Sequence, residues 1–207
     1  MCIRDRDLAG NSCHVHTSLW DKEAGKPVFL NDALNGGMSD IFCSFLAGQL
    51  ALAREMTYFL APFVNSYKRF QSGTFAPTKA VWSRDNRTAG FRVVGMGPSM
   101  RVECRIPGAD VNPYLAFAAL LAAGLYGIEK DLELEPPFEG NAYEAPDLQS
   151  VPTSISEALG MLDESAVLRD AFGDEVIDHY VHAGRWEQAE FERRVTDWER
   201  IRYFERA

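Results

Sequence analysis

Two histidines, a charged run and a group of arginines hold most of the reactive chemistry in this chain. His14 and His16 stand two apart in an alternating stretch, residues 11–20. There Cys13, Val15, Thr17 and Leu19 fall on one side and Ser12, His14, His16 and Ser18 on the other. Successive side chains of an extended strand point to opposite faces, so the two imidazoles share one face. Neutral imidazole ligates metals and imidazolium pairs with phosphate, which makes the pair a candidate metal or anion site; a pair of satisfied core histidines is the alternative. Residues 100–106 alternate in the same way, with Met100, Val102, Cys104 and Ile106 inward and Arg101, Glu103 and Arg105 on the other face. One carboxylate between two guanidiniums is either a solvated ion-pair ladder of little energetic value or a metal-binding glutamate beside forks that grip carboxylate or phosphate.

Arg69, Arg84, Arg87 and Arg92 occupy or border a loop-rich stretch between these two runs. From Ser66 to Arg105 eight basic residues meet two acidic ones, a local charge of +6 in a chain of -9, which leaves -15 elsewhere. An acidic protein with one basic stretch has either a local anion site or a solvated basic face. The overall balance excludes a nucleic-acid binder, whose phosphate contacts need clustered Lys and Arg. Arginines beside a histidine pair and a lone glutamate point to a magnesium–nucleotide site, where the metal bridges phosphates and guanidiniums stabilise the group in transfer.

The elements that must position these groups follow from pattern. A turn is expected over residues 22–27, then a helix capped by Ser39 and running to about Leu60, with Ile41, Phe45, Leu52, Met56 and Phe59 on its buried face and Pro62 as its stop. Residues 61–88 read as irregular, with a short strand near Val81 and Trp82. Strands over residues 89–94 and 100–106 flank the turn signal Gly95-Met96-Gly97-Pro98. Asp110 or Asn112 caps a helix that carries Pro113 in its first turn and runs to about Lys130. That helix is apolar nearly all round, which predicts burial on every side. After a Pro-rich connection, Ser154 to Glu157 forms a capping box, and Gly173 separates the next helix from a charged amphipathic tail. Four cysteines without paired or zinc spacing fit reduced thiols, no secretory signal opens the chain, and no apolar run reaches the ~20 residues of a membrane span. A cytoplasmic protein is expected.

The runs A-G-N-S-C-H-V-H-T-S-L (9–19), N-S-Y-K-R-F (65–70), A-P-T-K-A-V-W-S-R-D-N-R (76–87) and R-V-E-C-R-I-P-G-A-D-V-N-P-Y-L (101–115) together resemble the catalytic domain of the glutamine synthetase family, in order and nearly in spacing. The resemblance covers the chain from about Leu8 onward. It implies an α+β fold, part of a curved, largely antiparallel sheet with helices packed outside. It also implies that residues 8–207 are the C-terminal part of such a domain, that the small N-terminal β-domain and the first part of the catalytic domain lie outside the chain, and that residues 1–7 are a non-native start.

The resemblance also implies roles. His14 and Glu103 match metal ligands for Mg²⁺ or Mn²⁺. His16, Thr17, Ser18, Arg87, Arg92 and Arg101 match the site of the co-substrate ATP. Gly10, Arg69, Arg87 and Arg105 match the grip on glutamate, with Arg87 and Arg105 acting on the γ-carboxylate as it is phosphorylated. The implied activity is that of a ligase in nitrogen metabolism, which makes a γ-glutamyl amide through a γ-glutamyl phosphate, in a full-length enzyme assembled as a ring-shaped homo-oligomer.

Two departures bear on this. The family's flap motif G-x-E-A-P reads Gly73-Thr74-Phe75-Ala76-Pro77, so an apolar ring stands where ammonia-using relatives place a carboxylate. Phe75 therefore tilts the acceptor toward an organic amine such as a polyamine, as does the tail V-T-D-W-E-R-I-R-Y-F-E-R, which looks like the γ-glutamylamine branch. Ala9 replaces an asparagine often found before the glycine. Glutamine synthesis from ammonia, a non-catalytic fragment with inherited motifs and a simple H-x-H metal module are the alternatives, and the chain by itself is expected to be inactive.

Overall fold

The computed structural model describes residues 10–33 and 36–206; Ala9 and the expected non-native start over residues 1–7 lie outside them. Four short strands, β1 (Val15–Thr17), β2 (Trp82–Arg84), β3 (Phe91–Val94) and β4 (Arg101–Cys104), form a sheet in the order β1-β4-β3-β2. β4 pairs antiparallel with both β1 and β3, while β2 and β3 run parallel. The α+β, largely antiparallel architecture is as the sequence implied. The strands are shorter than the alternating runs, but pairing continues beyond β1 through the Ser12–Gly108 and Trp20–Pro27 bridges.

Register does the decisive work. Val15, Cys104, Phe91 and Trp82 stand in one row across all four strands, and all four are buried. One residue along, His16, Glu103, Arg92 and Ser83 stand in the next row. Side chains alternate faces, so the apolar row packs on the core and the polar row faces the other way.

Helices cover the core side. α1 (Asp40–Ala51) starts at Ser39, whose hydroxyl accepts from the Phe42 N–H as expected. The helix foreseen to Leu60 is broken. Residues 52–56 wind as tight turns and α2 (Thr57–Leu60) follows. Thr57 Oγ1 bonds back to the Ala53 carbonyl at 2.7 Å, a local competitor of helical hydrogen bonding. Ile41, foreseen in the core, lies on the exposed side of α1.

α3 (Pro113–Glu129) is capped by Asn112, whose side chain accepts from the Tyr114 N–H. It crosses α1 at a very close approach: a Cβ on Gly48 would lie 2.1 Å from the Ala123 carbonyl oxygen, and one on Gly127 2.0 Å from that of Ser44. Small residues let the two backbones meet, and Gln49 donates to the Leu120 carbonyl across the contact. The expectation of burial all round is corrected. Ala116, Ala119, Leu120 and Ala123 are buried, whereas Tyr114, Phe117, Leu121 and Leu125 are exposed, because the neighbours of α3 pack on its small-residue side alone.

The chain closes with α4 (Ile155–Glu164), α5 (Ala166–Phe172), α6 (Asp174–Glu192) and α7 (Asp197–Tyr203). Ser154 caps α4, and Glu157 returns its carboxylate to the Thr153 N–H, one residue before the capping-box position. Gly173, at φ 84°, makes the break foreseen there. Among the described residues no helix is long and apolar enough to cross a membrane.

Candidate active site

Glu103 is the hub. Its side chain is 5% exposed, and four cationic or ligating groups converge on it. His14 Nδ1 lies 3.0 Å and His16 Nε2 3.7 Å from Oε1. Arg92 Nη1 approaches Oε2 at 3.1 Å, and Arg105 Nη1 approaches Oε1 at 3.2 Å. Register explains two of these neighbours, since His16 and Arg92 are the cross-strand partners of Glu103. Arg105 reaches it as the i+2 residue on the same face.

Arg92 is held from both ends, because its other terminal nitrogen pairs with Asp85. Asp85 sits at φ 48°, a left-handed backbone that aspartate tolerates better than most residues. Arg101 Nε donates to His16 Nδ1 at 3.1 Å, which fixes that ring. Arg69 is buried beside the cluster, with its guanidinium on the Ile106 carbonyl and on Ser12 Oγ at 3.2 Å. Arg105 also donates to the Phe75 carbonyl at 3.2 Å and so ties the hub to the loop over residues 73–77.

The electrostatics follow from this packing. Burial pushes the Glu103 carboxyl up, but Arg105, Arg92 and His14 outweigh it, and the net shift is downward, so the group stays ionised. Burial lowers the pKa of His14, with Arg105 adding to the effect, and burial likewise lowers that of His16. Both rings are therefore neutral at pH 7. Burial brings Arg69 down to about 10, still charged at neutral pH. Neutral His14 donates from Nδ1 to Glu103, which leaves Nε2 as a lone pair; that atom is buried and has no hydrogen-bond partner. A histidine oriented by a carboxylate through one nitrogen, with the other free, has the arrangement of a metal ligand. Arg92 Nε and Arg105 Nε are also buried donors without a partner.

His14, His16, Arg69, Arg92, Arg101, Glu103 and Arg105 thus form one constellation, and Phe75 adjoins it through its carbonyl. Arg87 stands one step out, lining a cavity of about 470 Å³ with Asp85, Asn86, Arg92 and Gly140. Thr17 shares the Val15 face of β1 rather than the His16 face, and Ser18 Oγ accepts from Trp20 Nε1 at 3.1 Å. Gly10 opens the described part of the chain, ahead of β1. Sequence reasoning missed Asp85 and Ser12 as partners of the arginines; the aspartate beside Arg84 and Arg87 was a signal of charge but not of aim.

Comparison with known proteins gives consistent matches. A family model described as glutamine synthetase, catalytic domain, matches residues 3–203. The chain is 53% identical to gamma-glutamylethanolamide synthetase GlnA4 of Streptomyces coelicolor over 97% of its own length and 42% of that protein. It is 44% identical to glutamate–isopropylamine ligase of a Pseudomonas species, over 96% of the chain and 44% of the relative. A solved structure of GmaS in complex with ADP superposes with a TM-score of 0.85 at 31% identity, covering 95% of the chain and 46% of its counterpart. The chain therefore spans less than half the length of these relatives.

Proposed function

The chain belongs to the glutamine synthetase catalytic-domain family, and from that premise we propose that residues 8–207 are the C-terminal part of the catalytic domain of an ATP-dependent ligase joining an organic amine to the γ-carboxylate of glutamate. The observation that carries the reading is Arg105, whose guanidinium spans the Glu103 carboxylate and the carbonyl of Phe75. It joins an anion-handling centre to the loop that meets the acceptor. Arg69 and Arg105 hold the carboxylates of glutamate, with Gly10 offering a backbone contact. Arg87 and Arg92 face the phosphates of ATP, and His16, Thr17, Ser18 and Arg101 form the nucleotide side. Fixed guanidiniums stabilise the charge that grows as the γ-carboxylate takes phosphate and again as the amine displaces it.

His14 and Glu103 fit a hard divalent cation, Mg²⁺ or Mn²⁺: an imidazole with an orphaned buried nitrogen and a carboxylate held ionised. When bound, the ion neutralises crowded anions and polarises the transferring phosphoryl group. Among the described residues no third His, Cys, Asp or Glu completes a ligand group, so the other positions fall to phosphate, water or ligands beyond these residues. The Phe75 ring is 68% exposed, turned out of its loop and available to an alkyl chain. Capture of ammonium calls for a carboxylate there, so the acceptor is an amine with apolar carbon, such as an alkylamine or polyamine. The cytoplasmic setting and the ring-shaped homo-oligomer are carried into the same proposal. Its test is an acceptor screen on the full-length protein, following phosphate release from ATP with glutamate and a panel of amines. Organic amines should give the highest kcat/KM; release that is independent of glutamate, or highest with ammonium, rejects the proposal.

A further inference from the structure

The loop over residues 73–77 is held in a conformation its residues would not choose. Phe75 has φ 59°, left-handed backbone that costs a non-glycine residue about 1–2 kcal/mol, and such a residue persists only where its surroundings over-determine it. Its side chain contributes little to holding it, since the ring is mostly in solvent. The restraint comes from elsewhere. Thr74 Oγ1 bonds the Gln71 carbonyl at 2.7 Å at the base of the loop, and Arg105 holds the Phe75 carbonyl. The next carbonyl, that of Ala76, accepts from the hydroxyl of Tyr143 at 3.0 Å.

Tyr143 comes from 67 residues away and is itself firmly seated. It lies in a 3₁₀ turn, Ala142–Glu144, begun by Asn141, whose side chain accepts from the Tyr143 N–H. The Ala142 N–H bonds Thr88 Oγ1, and Asn86 Nδ2 bonds the Gly140 carbonyl, so this turn is fastened to the segment that carries Arg87. Burial pushes the Tyr143 hydroxyl up, against the pull of Arg105, and it remains a protonated donor at neutral pH.

We propose that Tyr143 is a positioning residue, the second of two latches that fix the Phe75 loop against Arg105 and thereby set the preference for an organic amine over ammonium. The selectivity half rests on the ligase reading above; the latch half does not. The test therefore has two arms, each comparing Tyr143→Phe with the unsubstituted protein. In the first, hydrogen exchange of this chain is followed at the amides of residues 71–77. Loss of one hydrogen bond raises local opening about 2- to 12-fold, while exchange in α3 stays unchanged. Unaltered exchange in the loop overturns the latch, as does an equal rise in α3, which marks general destabilisation. In the second arm, the ratio of kcat/KM for an alkylamine to that for ammonium is measured in the full-length protein and should fall by a similar factor, with KM for ATP unmoved. An unchanged ratio, or an equal loss for both acceptors, overturns the selectivity role. Should the unsubstituted full-length protein ligate neither acceptor, the ligase reading and the selectivity role fall together, and the exchange arm still decides the latch.

Discussion

Replacing Glu103 with glutamine keeps the shape of the hub and removes its charge. Glu103 and Arg105 are 5% and 4% exposed, so neither can turn to water when the pair is broken. Taking one partner from a buried ion pair costs about 3–5 kcal/mol, since the remaining charge stays buried without its counter-ion. Three contacts soften the loss. Arg105 keeps the Phe75 carbonyl, Arg92 keeps Asp85, and the glutamine oxygen still accepts a hydrogen bond. The low end, about 3 kcal/mol, is therefore expected, or about 6–12 °C in Tm at roughly 2–4 °C per kcal/mol for a chain of this size. Urea and thermal unfolding at pH 7 measure it for Glu103→Gln, Arg105→Met and the double variant. The double variant should be more stable than the sum of the two single losses predicts, by at least about 1 kcal/mol, because the second change removes the stranded charge. A loss below about 0.5 kcal/mol in Glu103→Gln, or strict additivity, refutes the buried hub.

In the full-length protein, Phe75→Glu should shift relative kcat/KM toward ammonium by about 2- to 30-fold, from loss of a ring–cation contact worth about 0.5–2 kcal/mol; steady-state kinetics with ammonium and an alkylamine checks it. The pH dependence of stability has a definite sign. The folded pKa of Glu103 lies below its ordinary 4.5, so its contribution is complete above that pH and is lost as pH falls through the folded value. The lowered histidines work the same way from 6.5 downward, which predicts an earlier, shallower loss that His14→Gln removes, read from urea midpoints between pH 4 and 8. Gly48→Ala should destabilise the chain by about 1–3 kcal/mol, because its Cβ meets backbone that cannot yield, and urea unfolding checks it.

The parts of this fold legible in the sequence are those set by local period. The alternation that put His14 with His16, and Arg101 and Arg105 with Glu103, needs only two-residue spacing, and the Ser39 and Asn112 caps need only a side chain and the next turn. Register is a different matter. That Arg92 and His16 lie opposite Glu103 depends on which strands pair and at what offset, over separations of 11 and 87 residues. No local pattern encodes this, so the arginines could be counted but not aimed. The helix foreseen through Leu60 failed for the converse reason: hydrophobic spacing continues past Ala51, but period does not see the Thr57 hydroxyl competing for the Ala53 carbonyl. The outer face of α3 is as apolar as the inner, and only size distinguishes them. Small residues pack against α1, and large ones stay outside.

The balance of charge in the cluster says what it is built to receive. Four guanidiniums, of Arg69, Arg92, Arg101 and Arg105, meet two carboxylates, of Glu103 and Asp85. Burial keeps the neighbouring histidines neutral, so they add no repulsion. Were the arginines there for stability alone, a matched or apolar arrangement would serve as well, since buried ion pairs seldom repay their desolvation. Here the carboxylates hold two of the forks in place without saturating them, and Arg92 Nε and Arg105 Nε remain buried donors without a partner. A positive surplus on preoriented groups attracts anions and needs little rearrangement when charge develops on them. Glu103 orients cations, and it is also one of two candidate ligands for a further one. Any ion held by Glu103 and His14 therefore competes with Arg92 and Arg105 for the same oxygens, which ties the grip on the anions to the occupancy of the metal position.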